Sequence, residues 1–195
     1  MKPFRYGLLA AAFLFHATFA YADPYVIDAD HSTVSFKIRH MLSYVRGSFN
    51  AVEGKFDYDP AKPETWGCEA LIQAESIDTN LAPRDNHLRS ADFLDIAQYP
   101  TLSFKSTKLT DVTPTSAKME GVLLLHGVEK PVILDLEMHG VVKDPWGGVR
   151  SSFSATTTIN RKDFGLAWNK AVETGELLVG DEVKIEIEIE GIRQA

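Results

Sequence analysis

The carboxyl-terminal stretch VKIEIEIEGI alternates apolar and charged residues with a period of two. Val183, Ile185, Ile187 and Ile189 fall on one face, and one lysine and three glutamates fall on the other. Because successive side chains of a β-strand point to opposite faces, this pattern predicts a strand with one dry and one wet side. Such one-sided strands are typical of antiparallel sheets.

Other segments repeat the alternation, and turn signals separate them. HGVEKP (126–131) predicts a tight hairpin between two apolar runs, and KDPWGG (143–148) predicts a second turn. We count about eight short strands, a number typical of an all-β sandwich or barrel. The apolar faces include Val34, Phe36 and Ile38 in HSTVSFKIRH, Ile72 in CEALIQAES, Phe104 in TLSFKST and Phe153 in RSSFSATTTIN.

One helix is predicted, near residues 80–94. Asp78, Thr79 or Asn80 would supply its N-cap, and Pro83 suits its first turn. Its apolar residues are expected to cover one end of the sheet, and its charged residues are expected to pair on the surface, where each pair contributes about 0–1 kcal/mol. These are the apolar Leu88, Phe93 and Leu94 and the charged Arg84, Asp85, Arg89 and Asp92.

The amino terminus has the layout of a secretory signal peptide. Lys2 and Arg5 precede an apolar run from Gly7 to about Phe19, and a small-residue triplet ends at Ala22. Cleavage after residue 22 would leave one domain, residues 23–195, with no second long apolar run and so no integral membrane segment. Losing the two cations lowers the net charge from −7 to −9, which disfavours nucleic acid as a partner.

The motifs of common enzyme classes are missing from the sequence. It has no G-x-S-x-G, H-E-x-x-H, Walker or G-x-G-x-x-G motif, so we expect no catalytic residues and no cofactor. A single cysteine and five scattered histidines in the mature chain predict no metal site. Cys68 is interpreted as a small buried apolar group. His31 with Asp28 and Asp30 could be an acid–base pair, but a role in shaping the turn into the next strand is favoured.

Five segments together resemble the YceI-like family of exported lipid-binding proteins. They are DADHSTVSFKIRHM, SIDTNLAPRDNHLRSADFLDIAQYPTLSFKST, GVLLLHGVEKPVILDLE, DPWGGVRSSFSATTTINRKDFGLAWN and GDEVKIEIEIEG, which span nearly all of the mature chain. The resemblance implies an extended, eight-stranded antiparallel barrel of lipocalin-like shape. It also implies a periplasmic protein whose interior holds a long isoprenoid or a similar amphipathic lipid, without catalytic residues.

An eight-stranded barrel is just wide enough to be filled by side chains or to hold one slender ligand. If the alternating apolar residues point inward, the lining suits a hydrocarbon. Trp168 and Phe164 could stack a ligand or serve as core aromatics. Arg84, His87 or Arg89 could contact a lipid head group, although a structural role is favoured for each. The predicted lipid-binding residues are Val34, Phe36, Ile38, Phe56, Ile72, Phe104, Phe153, Trp168, Ile185 and Ile187.

The first functional hypothesis is therefore a periplasmic carrier for a polyisoprenoid, a quinone precursor or a fatty-acyl lipid. The second is an envelope enzyme that uses His31 or His87 as a base on a lipid-like substrate. The third is a stress-response interaction module with a vestigial cavity and an external working surface. The sequence does not decide whether two copies form a homodimer.

Overall fold

Eleven β-strands and one α-helix are present in residues 22–171 and 177–194, the part of the chain that the computed structural model describes. Residues 1–21 of the predicted signal peptide lie outside it. The elements are β1 (Asp23–Ile27), β2 (Thr33–His40), β3 (Ser43–Phe49), β4 (Val52–Tyr58), β5 (Gly67–Gln73), β6 (Ile77–Asp78), α1 (Ala82–Arg89), β7 (Thr101–Thr110), β8 (Ser116–Leu125), β9 (Val128–Lys143), β10 (Val149–Asn160) and β11 (Val179–Arg193).

Eight of the strands close into an antiparallel barrel. Their order is β1-β4-β5-β7-β8-β9-β10-β11, and β11 pairs back onto β1. Each of these eight strands is paired on both sides, so none of them presents a free edge that would invite pairing with other chains. The predicted all-β, eight-stranded antiparallel barrel is confirmed.

The remaining strands lengthen the barrel on one side. The last residues of β11 pair with β1, with Ile192 opposite Val26, whereas its earlier residues pair with β2, with Ile185 opposite Phe36. β2 pairs in turn with β3, and β3 pairs with β6. The strands β1 and β2 thus act as one long strand interrupted by a 3₁₀ turn at Ala29–His31.

Charged side chains hold this interruption in place. Asp28 caps the turn by accepting hydrogen bonds from the Asp30 amide and from Nδ1 of His31, at 3.2 and 3.0 Å. Arg150 donates to Asp28 at 2.7 Å and also to Glu190, and its hydrogen bond holds the pKa of Asp28 below the ordinary value. His31 therefore shapes a turn, as the favoured interpretation predicts.

The side-chain ligand atoms of Asp28, His31 and Glu190 lie within 4.8 Å of one another. This is the geometry of a cation site. The position of the cation is already taken, because the Arg150 guanidinium contacts both carboxylates and also donates to Asp144 at 3.0 Å. The cluster is an internal ion-pair network that ties β10 and β11 to the bend between β1 and β2.

Both predicted turns are present. The β8–β9 hairpin turns at His126 and Gly127, whose φ angles of 53° and 72° are those of a two-residue hairpin turn. A Cβ at Gly127 would also lie 2.4 Å from the Tyr99 ring. The β9–β10 turn is held by Asp144, which accepts hydrogen bonds from the amides of Trp146 and Gly148.

The helix is shorter than the residues 80–94 predicted for it, because α1 ends at Arg89 and turns follow. The predicted N-cap was wrong. Leu81 occupies that position without a side-chain hydrogen bond, and Asp78 instead accepts from the Asn80 amide at 2.7 Å in the preceding turn. In the described residues no helix is long and apolar enough to cross a membrane.

Candidate functional site

An elongated cavity of about 660 Å³ occupies the interior of the barrel. This volume is within the range of about 300–1,000 Å³ that is usual for small-molecule sites. All ten residues predicted to contact lipid lie in its wall: Val34, Phe36, Ile38, Phe56, Ile72, Phe104, Phe153, Trp168, Ile185 and Ile187. The structure therefore places them together, and their contact with a lipid stays a prediction.

Strand register arranges the wall in successive layers. β11 supplies every second residue to the interior, and each of these residues is paired with an inward residue of β10. Since a strand rises about 3.3 Å per residue, the six steps from Val183 to Ile189 cover roughly 20 Å of cavity length. The layers are Ile189 with Phe153, Ile187 with Ala155 and Val34, Ile185 with Thr157 and Phe36, and Val183 with Ile159 and Ile38.

Three interior phenylalanine rings lie against glycines of the barrel wall. At each glycine, an added Cβ would come within 2.6 Å of a ring carbon, so only glycine admits the ring there. Rings held against the wall in this way leave the middle of the barrel open. The pairs are Phe36 with Gly47, Phe104 with Gly121 and Phe56 with Gly191.

Aromatic side chains fill one end of the cavity, where β1 and β4 pair. Tyr25 stacks on Phe56 with ring centroids 5.0 Å apart, and Phe153 meets Phe56 and Tyr58 edge-on at 5.1 and 4.9 Å. Trp66 packs on Tyr58 at 4.6 Å. We refer to these five residues as the aromatic end. Edge-on and offset ring contacts of this kind stabilise a core beyond simple burial.

A second group of side chains forms the opposite end of the cavity, beside α1. His87, Phe93 and Trp168 contact one another with ring centroids 4.9–5.0 Å apart, and all three line the cavity. Leu81 lines it as well and is 49% exposed, so the cavity reaches the surface here. We refer to Leu81, Arg84, His87, Phe93 and Trp168 as the helix end. Phe164, by contrast, is a buried aromatic outside this cavity wall.

Arg84 and Asp85 are held by Thr79. Arg84 donates from Nε to the Thr79 hydroxyl at 2.6 Å and from Nη2 to the Thr79 carbonyl at 2.7 Å. The Asp85 carboxylate accepts from the Thr79 amide at 2.9 Å and from its hydroxyl. Burial alone would raise the pKa of Asp85, but the hydrogen bonds from Thr79 outweigh it and lower the pKa.

The predicted surface pairing of the helix charges was therefore wrong. Asp85 is only 6% exposed and completes the turn before α1, so it is unavailable to a neighbouring arginine at the surface. Arg89 donates to the carbonyls of Ile77 and Glu75 at 2.6 and 2.8 Å. The Asp92 carboxylate accepts a hydrogen bond from Nε2 of His87 at 2.8 Å.

The three predicted head-group residues are separated by this geometry. Arg84 and His87 line the helix end of the cavity, and Arg84 has donor capacity beyond its two bonds to Thr79. Arg89 is absent from the cavity wall, because its guanidinium binds strand carbonyls instead. The geometry thus favours the structural interpretation of Arg89, and head-group contact by Arg84 and His87 stays a prediction.

Arg161 is a buried cation that was not among the predicted site residues. It is 2% exposed, lines the cavity and donates to the carbonyls of Gly180, Leu166 and Trp168. Burial lowers its pKa, and the charge of Asp181 partly opposes this. Arg161 therefore ties the segment that carries Trp168 to the start of β11.

Cys68 faces the cavity from β5. Burial raises the pKa of its thiol to about 12, and the charges of Glu69 and Asp57 add to this effect. A thiol with so high a pKa is a poor nucleophile at neutral pH. Cys68 was interpreted as a small buried apolar group, and in the structure it is half-buried and packs against the core.

The cavity offers hydrocarbon contacts along its length and polar groups at scattered points. Tyr58 belongs to the alternation Val52, Gly54, Phe56, Tyr58, so the period of two does identify it as a wall residue. Leu81, Leu166 and Leu178 come from turns and loops, where no periodicity exists to identify them. The polar residues in the wall are Ser35, His40, Asp57, Arg84, His87, Thr157 and Arg161.

Comparison with known proteins identifies related sequences over most of the chain. The sequence profile of the YceI-like domain matches residues 25–191. A UPF0312 protein of Vibrio cholerae is 39% identical over 178 residues, which cover 90% of each chain. A UPF0312 protein of Azotobacter vinelandii is 38% identical over 197 residues and covers both chains fully.

Solved structures share the fold. The YCEI protein of Campylobacter jejuni is 28% identical, with a TM-score of 0.70, and the match covers 97% of this chain and 100% of that one. BcnA of Burkholderia cenocepacia superposes with a TM-score of 0.75 at 21% identity, over 84% and 98% of the two chains. A polyisoprenoid binding domain from Saccharophagus degradans superposes with a TM-score of 0.65 at 15% identity, over 87% and 98%.

Proposed function

This chain belongs to the YceI-like domain family, and from that membership we propose that it binds a long-chain isoprenoid or a related amphipathic lipid inside its barrel and carries it through the periplasm. The observation that carries the proposal is the apolar cavity of about 660 Å³ along the barrel interior. The solved structure of a polyisoprenoid binding domain with the same fold supports the choice of ligand.

The energetics of such a cavity favour a long hydrocarbon chain. At about 0.3 kcal/mol per heavy atom, a chain of roughly 30 carbons gains about 9 kcal/mol, which corresponds to a sub-micromolar dissociation constant. No ion pair is required to reach this affinity. Each methylene left in water costs about 0.8 kcal/mol, so a carrier also removes the main barrier to moving such a lipid through an aqueous compartment.

The mechanism is passive and requires no chemical step. The chain enters at the helix end, where Leu81 is both part of the wall and exposed, and it extends toward the aromatic end. A quinone precursor or a fatty-acyl lipid would make the same apolar contacts with the cavity wall as a polyisoprenoid. An acidic head group would be left beside Arg84 and His87, since a guanidinium binds phosphate or carboxylate well.

Periplasmic localisation follows from the predicted signal peptide at residues 1–22 and forms part of the proposal. The enzyme alternative has less support. His31 lies outside the cavity wall and is bonded to Asp28, so it is not placed to act on a bound lipid. His87 does line the cavity, and loss of lipid turnover on His87→Ala with the fold intact would revive that alternative.

Two adjacent residues of β10 provide a matched test of the proposal. Ala155 is buried in the cavity wall, and Thr156 faces solvent on the outer surface. We expect Ala155→Phe to block the cavity and abolish binding of isoprenoid alcohols, measured by titration of delipidated protein across a series of chain lengths. Thr156→Phe should bind as the unmodified protein does. Equal binding by both variants, or no binding by any form, would overturn the proposal.

A further inference from the structure

The β2–β3 hairpin presents apolar side chains to solvent at its tip. Leu42 is 87% exposed and Met41 is 49% exposed, and Tyr44 beside them is also exposed. Burying a leucine contributes about 1.5–3 kcal/mol elsewhere in a protein, so this tip forgoes a substantial stabilisation. Leu42 follows only two residues after His40, which lines the cavity.

The tip is continuous with the helix end of the cavity. The Met41 amide donates to the carbonyl of Leu178 at 2.9 Å, and Leu178 is itself a wall residue. Leu81, which is likewise both exposed and part of the wall, belongs to the helix end. The exposed apolar tip therefore lies next to residues of the cavity wall at the helix end.

The strands of this hairpin carry cations, although the chain as a whole is acidic. Between Asp30 and Glu53 the sequence has three of its 20 lysines and arginines, Lys37, Arg39 and Arg46, and no acidic residue. Among the described residues none of these three lies within salt-bridge distance of a carboxylate; Lys37 and Arg39 lie over the Tyr44 ring instead, at 4.3 and 5.7 Å from its centroid.

The outward cations also stand in a row across the sheet. Lys37 is directly opposite Arg46 on β3 and directly opposite Lys184 on β11. Like charges in opposed positions destabilise a sheet. A negatively charged surface placed against this row would relieve the repulsion, and exposed apolar residues rimmed by cations are what an anionic lipid bilayer binds.

We propose that the β2–β3 hairpin docks the helix end of the cavity onto the surface of an anionic lipid bilayer, with Leu42 and Met41 inserted among the lipids and Lys37, Arg39 and Arg46 against the head groups. The inference rests on the proposed carrier function, because it supplies the place where cargo enters and leaves. In this position the helix end of the cavity faces the bilayer, so the lipid has a short path between bilayer and barrel.

The test is co-sedimentation of delipidated protein with vesicles. We expect binding to vesicles of phosphatidylcholine mixed with phosphatidylglycerol, and little binding to phosphatidylcholine alone. Raising the salt to about 1 M, where the Debye length falls to about 3 Å, should abolish the binding. Leu42→Ser should weaken binding about tenfold, since it removes the apolar surface that inserts. Lys37→Gln combined with Arg46→Gln should weaken it as well and reduce its salt dependence.

Trp146 supplies the matched control. It is 86% exposed at the tip of the β9–β10 hairpin, where its amide donates to Asp144, and it lies away from the helix end, so Trp146→Ser should leave vesicle binding unchanged. Both substitutions are at exposed positions and are expected to preserve the fold, which thermal unfolding checks. Equal binding to neutral and anionic vesicles, or loss of binding in Trp146→Ser but not in Leu42→Ser, would overturn the proposal.

Two further measurements separate this inference from its premise. Titration with a short-chain isoprenoid alcohol in the absence of vesicles should be the same for Leu42→Ser and the unmodified protein, whereas extraction of cargo from vesicles should slow in the variant. If titration succeeds and vesicle binding fails, the docking inference is wrong and the carrier proposal stands. If the protein without vesicles is a dimer and Leu42→Ser is a monomer, the tip serves self-association. That result would overturn the bilayer-docking proposal.

Discussion

The ring of Phe104 on β7 lies against Gly121 on the neighbouring strand β8, where an added Cβ would be 2.3 Å from the ring carbon Cζ. The Phe104 ring therefore occupies the space that a side chain at position 121 would take. The same arrangement recurs at Phe36 with Gly47, where the corresponding distance is 2.6 Å. The width of the cavity therefore depends on glycines that are not themselves ligand contacts.

Gly121→Ala should push the Phe104 ring toward the middle of the barrel. We expect stability to fall by about 1–3 kcal/mol, as is usual for overpacking, and long isoprenoid chains to bind more weakly than short ones. Chemical denaturation and a chain-length titration measure the two effects. Adding Phe104→Leu to the variant should restore binding of long chains, because the smaller side chain no longer competes for the space.

Gly67→Ala is the control for this substitution. Gly67 is also a wall residue, but a Cβ there would meet its nearest atoms at 3.8 and 3.9 Å, which is ordinary contact. It should therefore leave both stability and chain-length preference nearly unchanged. If Gly121→Ala and Gly67→Ala behave alike, glycine–phenylalanine packing does not set the width of the cavity.

Cys68 should report on cavity access because it is the single cysteine of the chain. Since its pKa is raised to about 12, its reaction with a maleimide at pH 8 should be on the order of 10³-fold slower than that of an ordinary thiol. The labelling rate of the folded protein should continue to rise with pH above the range in which the labelling rate of the unfolded protein has become constant. Bound isoprenoid should slow the reaction further, as mass spectrometry of the adduct would show.

A thiol on the outer face provides the comparison. Cys68→Ser combined with Thr156→Cys moves the single cysteine to an exposed position of the same barrel. That thiol should react quickly and be indifferent to added lipid. Rapid labelling of Cys68 in the native protein, or labelling insensitive to lipid, would contradict its position in the cavity wall.

Asp85 should make stability depend on pH at the acid side. Its pKa is lowered in the folded protein, burial being outweighed by the Thr79 hydrogen bonds, so the unfolded chain takes up the proton first. The stabilisation is therefore present above the ordinary value of 3.8 and is lost as pH falls below it. Asp85→Asn should cost about 1–3 kcal/mol at neutral pH by weakening buried hydrogen bonds, and the cost should shrink in acid.

Urea unfolding across the acid range measures this difference, with Asp163→Asn as the control. Asp163 is exposed in the 3₁₀ turn after β10, so its substitution removes the same charge without a buried partner. It should change stability little at any pH. A cost for Asp85→Asn that stays constant from neutral pH to below 3.8 would show that the carboxylate charge is not what stabilises the turn.

The barrel itself was predictable because period-two alternation fixes which residues of a strand share a face. For this reason Phe36, Phe153 and Ile187 were correctly predicted to face the interior of the barrel. A turn near His31 was predicted, but its place in the sheet was not. β11 pairs with both β1 and β2 across the turn, and Arg150, more than a hundred residues away, binds Asp28 there.

The helix end was predicted least well. The pattern of charges around Arg84 and Asp85 resembles an exposed helix surface, but Thr79 is buried and draws both side chains inward. Such hydrogen bonds depend on the fold of the preceding turn, which residue spacing does not specify. Leu81 was not predicted as a wall residue because a single leucine in a loop has no periodic pattern around it.

Native mass spectrometry of the mature protein, purified from its own host without detergent, tests the central claim most directly. We predict a discrete added mass that organic extraction releases as a long-chain lipid, and we predict that Ala155→Phe purified in the same way lacks it. Protein that is always empty, and that also fails to take up any long-chain lipid on titration, would contradict the claim that the barrel holds a hydrocarbon.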